Sequence, residues 1–460
     1  MKWVLSVATV LPLVLASAAW FVITKPWFCS GLCCLHVTSC PVPSLHGTFQ
    51  PQYKPVVDTL QRSLAQGWDL GASLFVAVDG ETVVDVAGGY KDAQKTEPYD
   101  ESTVNVIFSS GKVIEAIAMA ILVDNEFVDL NAPVAKYWKE FANKGGVTIQ
   151  DMLSHRSGSA TLFEETPSVE ILKDPKTRDE FLASQKFQLP RGTVAYRAWG
   201  SALYSDAISR RVDPKGRSLS RLVQEEVFDQ LGETFFCPPL TEERSVHFSQ
   251  LHDIPLATVL LGFLPQLFMP RLYAKIVDKD HPLLINPLER PLFRSAILDK
   301  DSILKKPTIP DVGSGAASYN NHSSFLAYEM MSSNCISNAR AIGKAFDAFM
   351  KGRIVREETL NAFLAPFPSA FDKFLLLNVT HTKGGFGVSS RADISMIEGL
   401  LPESSTCYGW GGVGGSLIQH CIVDGHTITV SYVMNSLSPK LVLDRGSKLV
   451  HEAIKVMQKQ

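Results

Sequence analysis

Residues 108–123 read FSSGKVIEAIAMAILV. From Ser110 to Val123 it is rich in Ala, Ile and Met and carries no Pro, the mark of a helix buried on all sides rather than one with a single apolar stripe. Ser109 and Lys112 stand at its N-terminal edge. Residues three apart on a helix share a face, so hydroxyl and amine meet side by side. A lysine backed by an apolar helix and little water can take a proton from the serine. Backbone N–H groups and the positive end of the helix dipole favour an anion at the same point. A capping serine beside a surface lysine has the same spacing, so the chemistry needs support from elsewhere in the chain.

Working outward, Tyr53 to Leu64 suits an amphipathic helix, and Ala72 to Val78 and Thr82 to Val86 are β-rich runs joined by Asp79-Gly80, a strong hairpin signal. Downstream, Thr148 to Ser154 reads as a short helix. Leu417 to His420 and Thr427 to Met434 read as strands, and Lys440 to Met457 as a closing helix. Strands near both ends with helices between them predict an α+β body whose sheet unites the termini. No repeat of solenoid spacing occurs.

Three further segments support the serine–lysine pair. Ile149-Gln150-Asp151-Met152-Leu153-Ser154-His155-Arg156-Ser157-Gly158 is similar to an "LLTHTSG" segment. Leu189-Pro190-Arg191-Gly192-Thr193 leads to Tyr196-Arg197-Ala198, and Tyr408-Gly409-Trp410-Gly411-Gly412-Val413-Gly414-Gly415-Ser416 stands where a KTG, HxG or WxG motif is expected. In this order they resemble the serine β-lactamase and penicillin-binding-protein superfamily, in its class C-like branch of β-lactamase-related esterases and animal β-lactamase-like proteins. The resemblance runs from about Tyr53 to Ile454. It implies an antiparallel sheet flanked by helices, with an all-helical subdomain. It also implies Ser109 as nucleophile, with Lys112 and Tyr196 sharing proton transfer. Trp410-Gly411-Gly412 would edge the cleft, Gly412 permitting close backbone approach, and the amides of Val413 and Ser109 would hold the oxyanion. His155 would be structural.

Three departures bear on function. A lysine or histidine at 410 would bind a substrate carboxylate, whereas Trp410 offers an apolar ring and an indole donor. This points to esters or uncharged amides. Ala198 replaces the amide of YxN. Gly111 stands where Thr is common, weakening that helix turn by up to about 1 kcal/mol and loosening the nucleophile segment.

The whole chain has 460 residues, 45% apolar and 20% charged, with a net charge of −3. It is a folding sequence without the basic field that nucleic-acid binding needs. No GxSxG elbow, HExxH or paired CxxC occurs, and Gly384-Gly385-Phe386-Gly387 lacks a phosphate-loop lysine, so no metal or cofactor is implied. The expected function is a serine hydrolase working through an acyl-enzyme on an ester or amide. The alternatives are a catalytically weak or inactive scaffold of the same fold, and a peptidase with the same mechanism.

Residues 3–24 carry no charge and are long enough to span a bilayer. A retained signal-anchor and a cleaved signal peptide ending near residue 25 compete. Either predicts the secretory pathway, with a lumenal, extracellular or secreted body, although Lys2 and Lys25 leave orientation open. Residues 26–49, with Cys29, Cys33, Cys34 and Cys40, read as a tether before a body at 50–460. Its cysteines suit disulfides in a lumen, palmitoylation in the cytosol or, third, zinc. Cys237, Cys335, Cys407 and Cys421 read as disulfide partners or as buried thiols. Asn321 and Asn378 begin glycosylation sequons. Leu256 to Met269, apolar and broken by Pro265, reads as a buried helix-turn-helix or as a flap touching membrane, a sister subunit or the active site. Oligomeric state is open.

Overall fold

Asp79 and Gly80 both take positive φ, 49° and 89°, as a two-residue hairpin turn matched to right-handed strand twist requires. The turn sits in a computed structural model that describes residues 43–142, 144–159, 167–254, 321–390, 401–402, 405–438 and 445–460, with Phe28, Pro291, Arg294 and Ser295 as isolated positions. Around the hairpin lie β1 (Leu45–Phe49), β2 (Gly71–Val78) and β3 (Glu81–Gly89). Later in the chain come β4 (Ala370–Phe371), β5 (Asn378–His381), β6 (Gly387–Ser390), β7 (Thr406–Gly411), β8 (Leu417–Val423) and β9 (His426–Met434). They form one nine-stranded sheet in the order β1-β3-β2-β9-β8-β7-β6-β5-β4. β9 runs antiparallel to β2 from Ile428↔Val78 to Met434↔Ala72, so the sheet unites the two ends of the body.

β1 corrects an expectation. Leu45–Phe49 falls in the stretch read as tether, yet it pairs along β3 from Leu45↔Gly88 to Phe49↔Val84. The hairpin leaves an open ladder edge, and an irregular, polar stretch can satisfy it through backbone alone.

The main helices are α1 (Lys54–Ala65), α2 (Gly111–Asp124), α3 (Ile149–Leu153), α4 (Pro175–Ser184), α5 (Ser201–Val212), α6 (Ala339–Met350), α7 (Glu357–Leu364) and α8 (Arg445–Met457), with short turns between them. Alternation along β2 separates two cores. Leu74 and Val76 join α1 and α8, while Phe75 and Ala77 join α2 and α6. A strand with both faces covered reads as continuously apolar. α2 is buried from Gly111 to Leu122, and Ile114, Ile117, Met119 and Leu122 are fully enclosed, each worth about 1.5–3 kcal/mol. The start of α3 is a capping box, the Thr148 hydroxyl accepting from the Asp151 N–H while the Asp151 carboxylate accepts from the Thr148 N–H.

Cys237 pairs with Cys335 and Cys407 with Cys421, where buried thiols are one of the readings that the sequence leaves open. The second pair lies directly cross-strand between β7 and β8, a proximity that sheet register creates. Among the described residues no helix is long and apolar enough to cross a membrane. Residues 3–24, 256–269 and the four N-terminal cysteines lie outside the described residues.

Candidate active site

The chain reaches α2 through one short turn, Phe108–Ser110. Phe108 holds φ at +49°, a left-handed conformation that costs a non-glycine residue about 1–3 kcal/mol. Its side chain is buried in the α1/α8 core, which supplies the packing that sustains the strain. Ser109 follows directly.

Lys112 Nζ lies 3.0 Å from Ser109 Oγ and donates to the carbonyls of Ser332 (3.1 Å) and Ala198 (3.3 Å). With two N–H bonds committed to carbonyls, the remaining tetrahedral position faces the serine. It holds an N–H when the amine is charged and a lone pair when it is neutral. The same nitrogen can therefore give or accept the serine proton without moving.

Gly111 has a different role from the one expected of it. A Cβ there would lie 2.1 Å from the Met331 carbonyl oxygen. The glycine admits the 330–334 segment, and that approach brings the Ser332 carbonyl to Lys112. It tightens the nucleophile segment rather than loosening it. Asn334, with no exposed surface, ties the same segment by donating to the Phe325 and Tyr328 carbonyls and accepting from the Met330 N–H.

Tyr196 donates its hydroxyl to Ser109 Oγ at 2.8 Å and in turn accepts from Trp410 Nε1 at 3.0 Å. Lys112 Nζ also sits 5.0 Å from the centre of the Tyr196 ring. Trp410 thus differs from its expected role, because its indole N–H serves the tyrosine rather than a substrate. Gly387 on β6 makes this possible, since a Cβ there would meet the indole ring at 2.5 Å. The ring lies over the glycine, with its N–H reaching the tyrosine. Ser109, Lys112, Tyr196 and Trp410 are each at most 7% exposed, so water screens these contacts little.

The motif around Gly412 docks against the nucleophile segment. Ser416 Oγ donates to the Ile107 carbonyl at 2.8 Å and lies 3.1 Å from Ser110 Oγ, while Gly412 N–H donates to the Ser416 carbonyl at 2.7 Å. A Cβ on Gly412 would sit 2.8 Å from the Ile107 carbonyl oxygen, so the glycine permits the approach. Val413 follows it and is well exposed.

His155 packs edge-on against Tyr196 and accepts through Nδ1 from the Arg197 N–H at 3.3 Å. Burial, reinforced by His381, Lys112 and Arg197, holds its pKa well below the usual histidine value. His381 on β5, absent from the sequence reading, lies edge-on to His155 and tilted beside Trp410, and burial brings its pKa down to about 3. Glu115 was also missed. Buried one turn beyond Lys112, it accepts from Ser205 (2.7 Å) and Ser201 (3.1 Å), and burial raises its carboxyl above the ordinary range. A single acid inside an otherwise apolar helix was its available signal. The Ser332 carbonyl had none, being backbone.

Of the two sequon asparagines, Asn321 has its amide paired to both backbone groups of Leu251, at 2.9 and 2.7 Å, while Asn378 is exposed at the start of β5.

A buried serine met by a lysine one helical turn on and by a tyrosine from a separate loop, beside an antiparallel sheet with helices on both faces, is the β-lactamase/transpeptidase-like fold. The family model described as Beta-lactamase matches residues 57–453, and the chain belongs to that family. Esterase/beta-lactamase LipL of Mycobacterium tuberculosis is 30% identical over 163 residues, 35% of this chain and 37% of that protein; the match thus spans about a third of the relative's length. Among solved structures, a family VIII carboxylesterase aligns with TM-score 0.68 at 22% identity, over 90% of this chain and 100% of that one. A penicillin-binding protein homolog from Caulobacter crescentus aligns with TM-score 0.67 at 22% identity and the same coverage. These two likenesses are of fold.

Proposed function

We propose that the protein is a serine hydrolase that turns over uncharged esters, or amides, through an acyl-enzyme on Ser109. The carrying observation is the convergence of Lys112 Nζ and Tyr196 Oη on one hydroxyl oxygen, at 3.0 and 2.8 Å. Lys112 takes the Ser109 proton as Oγ attacks the carbonyl carbon, and the amides of Ser109 and Val413 stabilise the oxyanion. Tyr196 gives its phenolic proton to the leaving alkoxide or amine as the bond to the acyl carbon breaks, and the proton held by Lys112 restores the phenol. Water then attacks the acyl-enzyme, releasing the acid and returning the proton to the serine. The preference for uncharged substrates is supported by the side chains at the site, since Lys112 commits two N–H bonds to backbone carbonyls and Trp410 stands where a carboxylate-binding lysine or histidine would. The esterase among the relatives agrees with it.

The test is labelling of the full-length protein by a fluorophosphonate probe and a fluorescent β-lactam, beside Ser109→Ala. Labelling and ester turnover that depend on Ser109 are expected. An unlabelled, inactive wild-type protein would instead support the scaffold reading. We further place the body in the secretory pathway, held by residues 3–24 or released from them. The two cystines support this, since they persist in oxidising compartments. Digestion of the body by protease added outside sealed microsomes would overturn the placement.

A further inference from the structure

The six-residue loop between β4 and β5 is folded back over the chain that carries Tyr196. Asp372, in its first position, has no exposed surface. Its two carboxylate oxygens divide their bonds: Oδ1 accepts from the Phe374 and Leu375 N–H groups (2.7 and 2.8 Å), and Oδ2 accepts from the Tyr196 N–H (2.8 Å). The loop is closed on itself by Asp372 N–H to the Leu377 carbonyl (2.8 Å) and Leu376 N–H to the Asp372 carbonyl (2.9 Å). It is stitched to the loop that carries Tyr196 once more by Lys373 N–H to the Val194 carbonyl (3.0 Å). Phe374 lays its ring 5.9 Å from the Tyr196 ring.

A carboxylate that only capped this loop would need one oxygen. Full burial raises its pKa, an effect the three N–H bonds work against, and an acid in that setting is costly unless each oxygen is satisfied. The second oxygen is spent 176 residues away, on the backbone of the residue whose hydroxyl must lie 2.8 Å from Ser109 Oγ and 3.0 Å from Trp410 Nε1. The loop therefore grips Tyr196 at two points, its backbone through Asp372 and its ring through Phe374. A small shift at either would open both hydroxyl contacts together, because hydrogen bonds weaken steeply with distance and angle.

We propose that Asp372 is a positioning residue for Tyr196, setting the phenol at the nucleophile; this rests on the serine-hydrolase reading above. Asp372→Asn keeps an acceptor for Phe374 and Leu375 but turns N–H donors toward the Tyr196 N–H, so it loosens the tyrosine while leaving the loop closed.

The test is a double-mutant cycle on the full-length protein, reading kcat and KM for a neutral aryl ester with Asp372→Asn, Tyr196→Phe and the pair. Asp372→Asn is expected to lower kcat by about 100-fold with KM little changed, and to cost nothing further in the Tyr196→Phe background. An equal loss in both backgrounds, or no loss in the wild-type background, overturns the proposal. Should Asp372→Asn fail to fold by circular dichroism, Phe374→Ala is carried through the same cycle. A smaller but non-additive loss supports the proposal and an additive one overturns it. Wild-type protein without Ser109-dependent turnover overturns the hydrolase reading and this one with it, whereas active wild-type with an additive cycle overturns this one alone.

Discussion

Two halves of the candidate site reach the same oxygen by different means. Ser109 and Lys112 are three residues apart where the Phe108–Ser110 turn runs into α2, and this local geometry brings them to 3.0 Å. Tyr196 comes to Ser109 across 87 residues, and Trp410 comes to Tyr196 across 214. They stand on a loop and on an inner strand of the sheet, β7, held by remote anchors, among them Asp372, Gly387 and Ser416. The first half depends on α2 and on the one segment packed against Gly111. The second depends on contacts far from the chemistry, and substitutions there should alter rate before they alter stability.

Four substitutions can break or sharpen this contrast. Lys112→Ala should give the largest effect, a fall of about 10²–10⁴ in kcat/KM for a neutral ester, with the melting temperature close to wild type. A smaller loss than that of Tyr196→Phe would remove the local half from its leading place. Gly111→Ala comes next, and it tests the limit of the local half, because its Cβ would collide with the Met331 carbonyl. A stability loss of about 1–3 kcal/mol is expected in denaturant unfolding, together with slower labelling of Ser109 as the Ser332 carbonyl moves off Lys112. Were α2 indifferent to its surroundings, the substitution would stabilise the helix instead.

Trp410→Phe keeps an aromatic ring over Gly387 and removes the N–H that Tyr196 accepts. Net loss of one such bond is worth about 0.5–1.5 kcal/mol, or up to about tenfold in kcat. A change confined to KM would return Trp410 to the substrate-contacting role expected from sequence. The smallest effect concerns pH. His381 has a pKa of about 3 when folded, against an ordinary value of 6.5. Between those values the unfolded chain binds a proton that the folded chain refuses, so stability rises with pH across the window and falls as acid is added. His381→Phe should flatten that slope in unfolding measured from pH 4 upward, and an unchanged slope would assign the acid sensitivity elsewhere.

What could be read in advance follows the same division. The α2 helix, the Asp79-Gly80 hairpin and the closing helix were legible because each rests on a local pattern, whether all-round apolarity, positive-φ turn residues or amphipathic spacing. β1 was not, because an edge strand can be recruited through backbone bonds with little side-chain signal. Gly111 and Trp410 were noticed but misread for one reason. Propensity describes a residue against its own helix or strand, whereas Met331 and Tyr196, which decide their roles, arrive from elsewhere in the chain. Asp372 and the Ser332 carbonyl left no mark, since a buried acid in a loop looks like any turn aspartate and a carbonyl belongs to every residue.

Local pattern along the chain was enough for the serine–lysine spacing, the strands that join the ends of the body and the family to which the chain belongs. Each of these rests on spacing within a few residues or on motifs in order. Tertiary packing was needed to show that Trp410 donates to Tyr196, that Gly111 opens a path for the Ser332 carbonyl, that Cys407 faces Cys421 and that Asp372 accepts from the Tyr196 N–H. Those outcomes depend on which distant backbone atoms come within about 3 Å, the range in which hydrogen bonds form, and the packing of sheet against helices sets that distance.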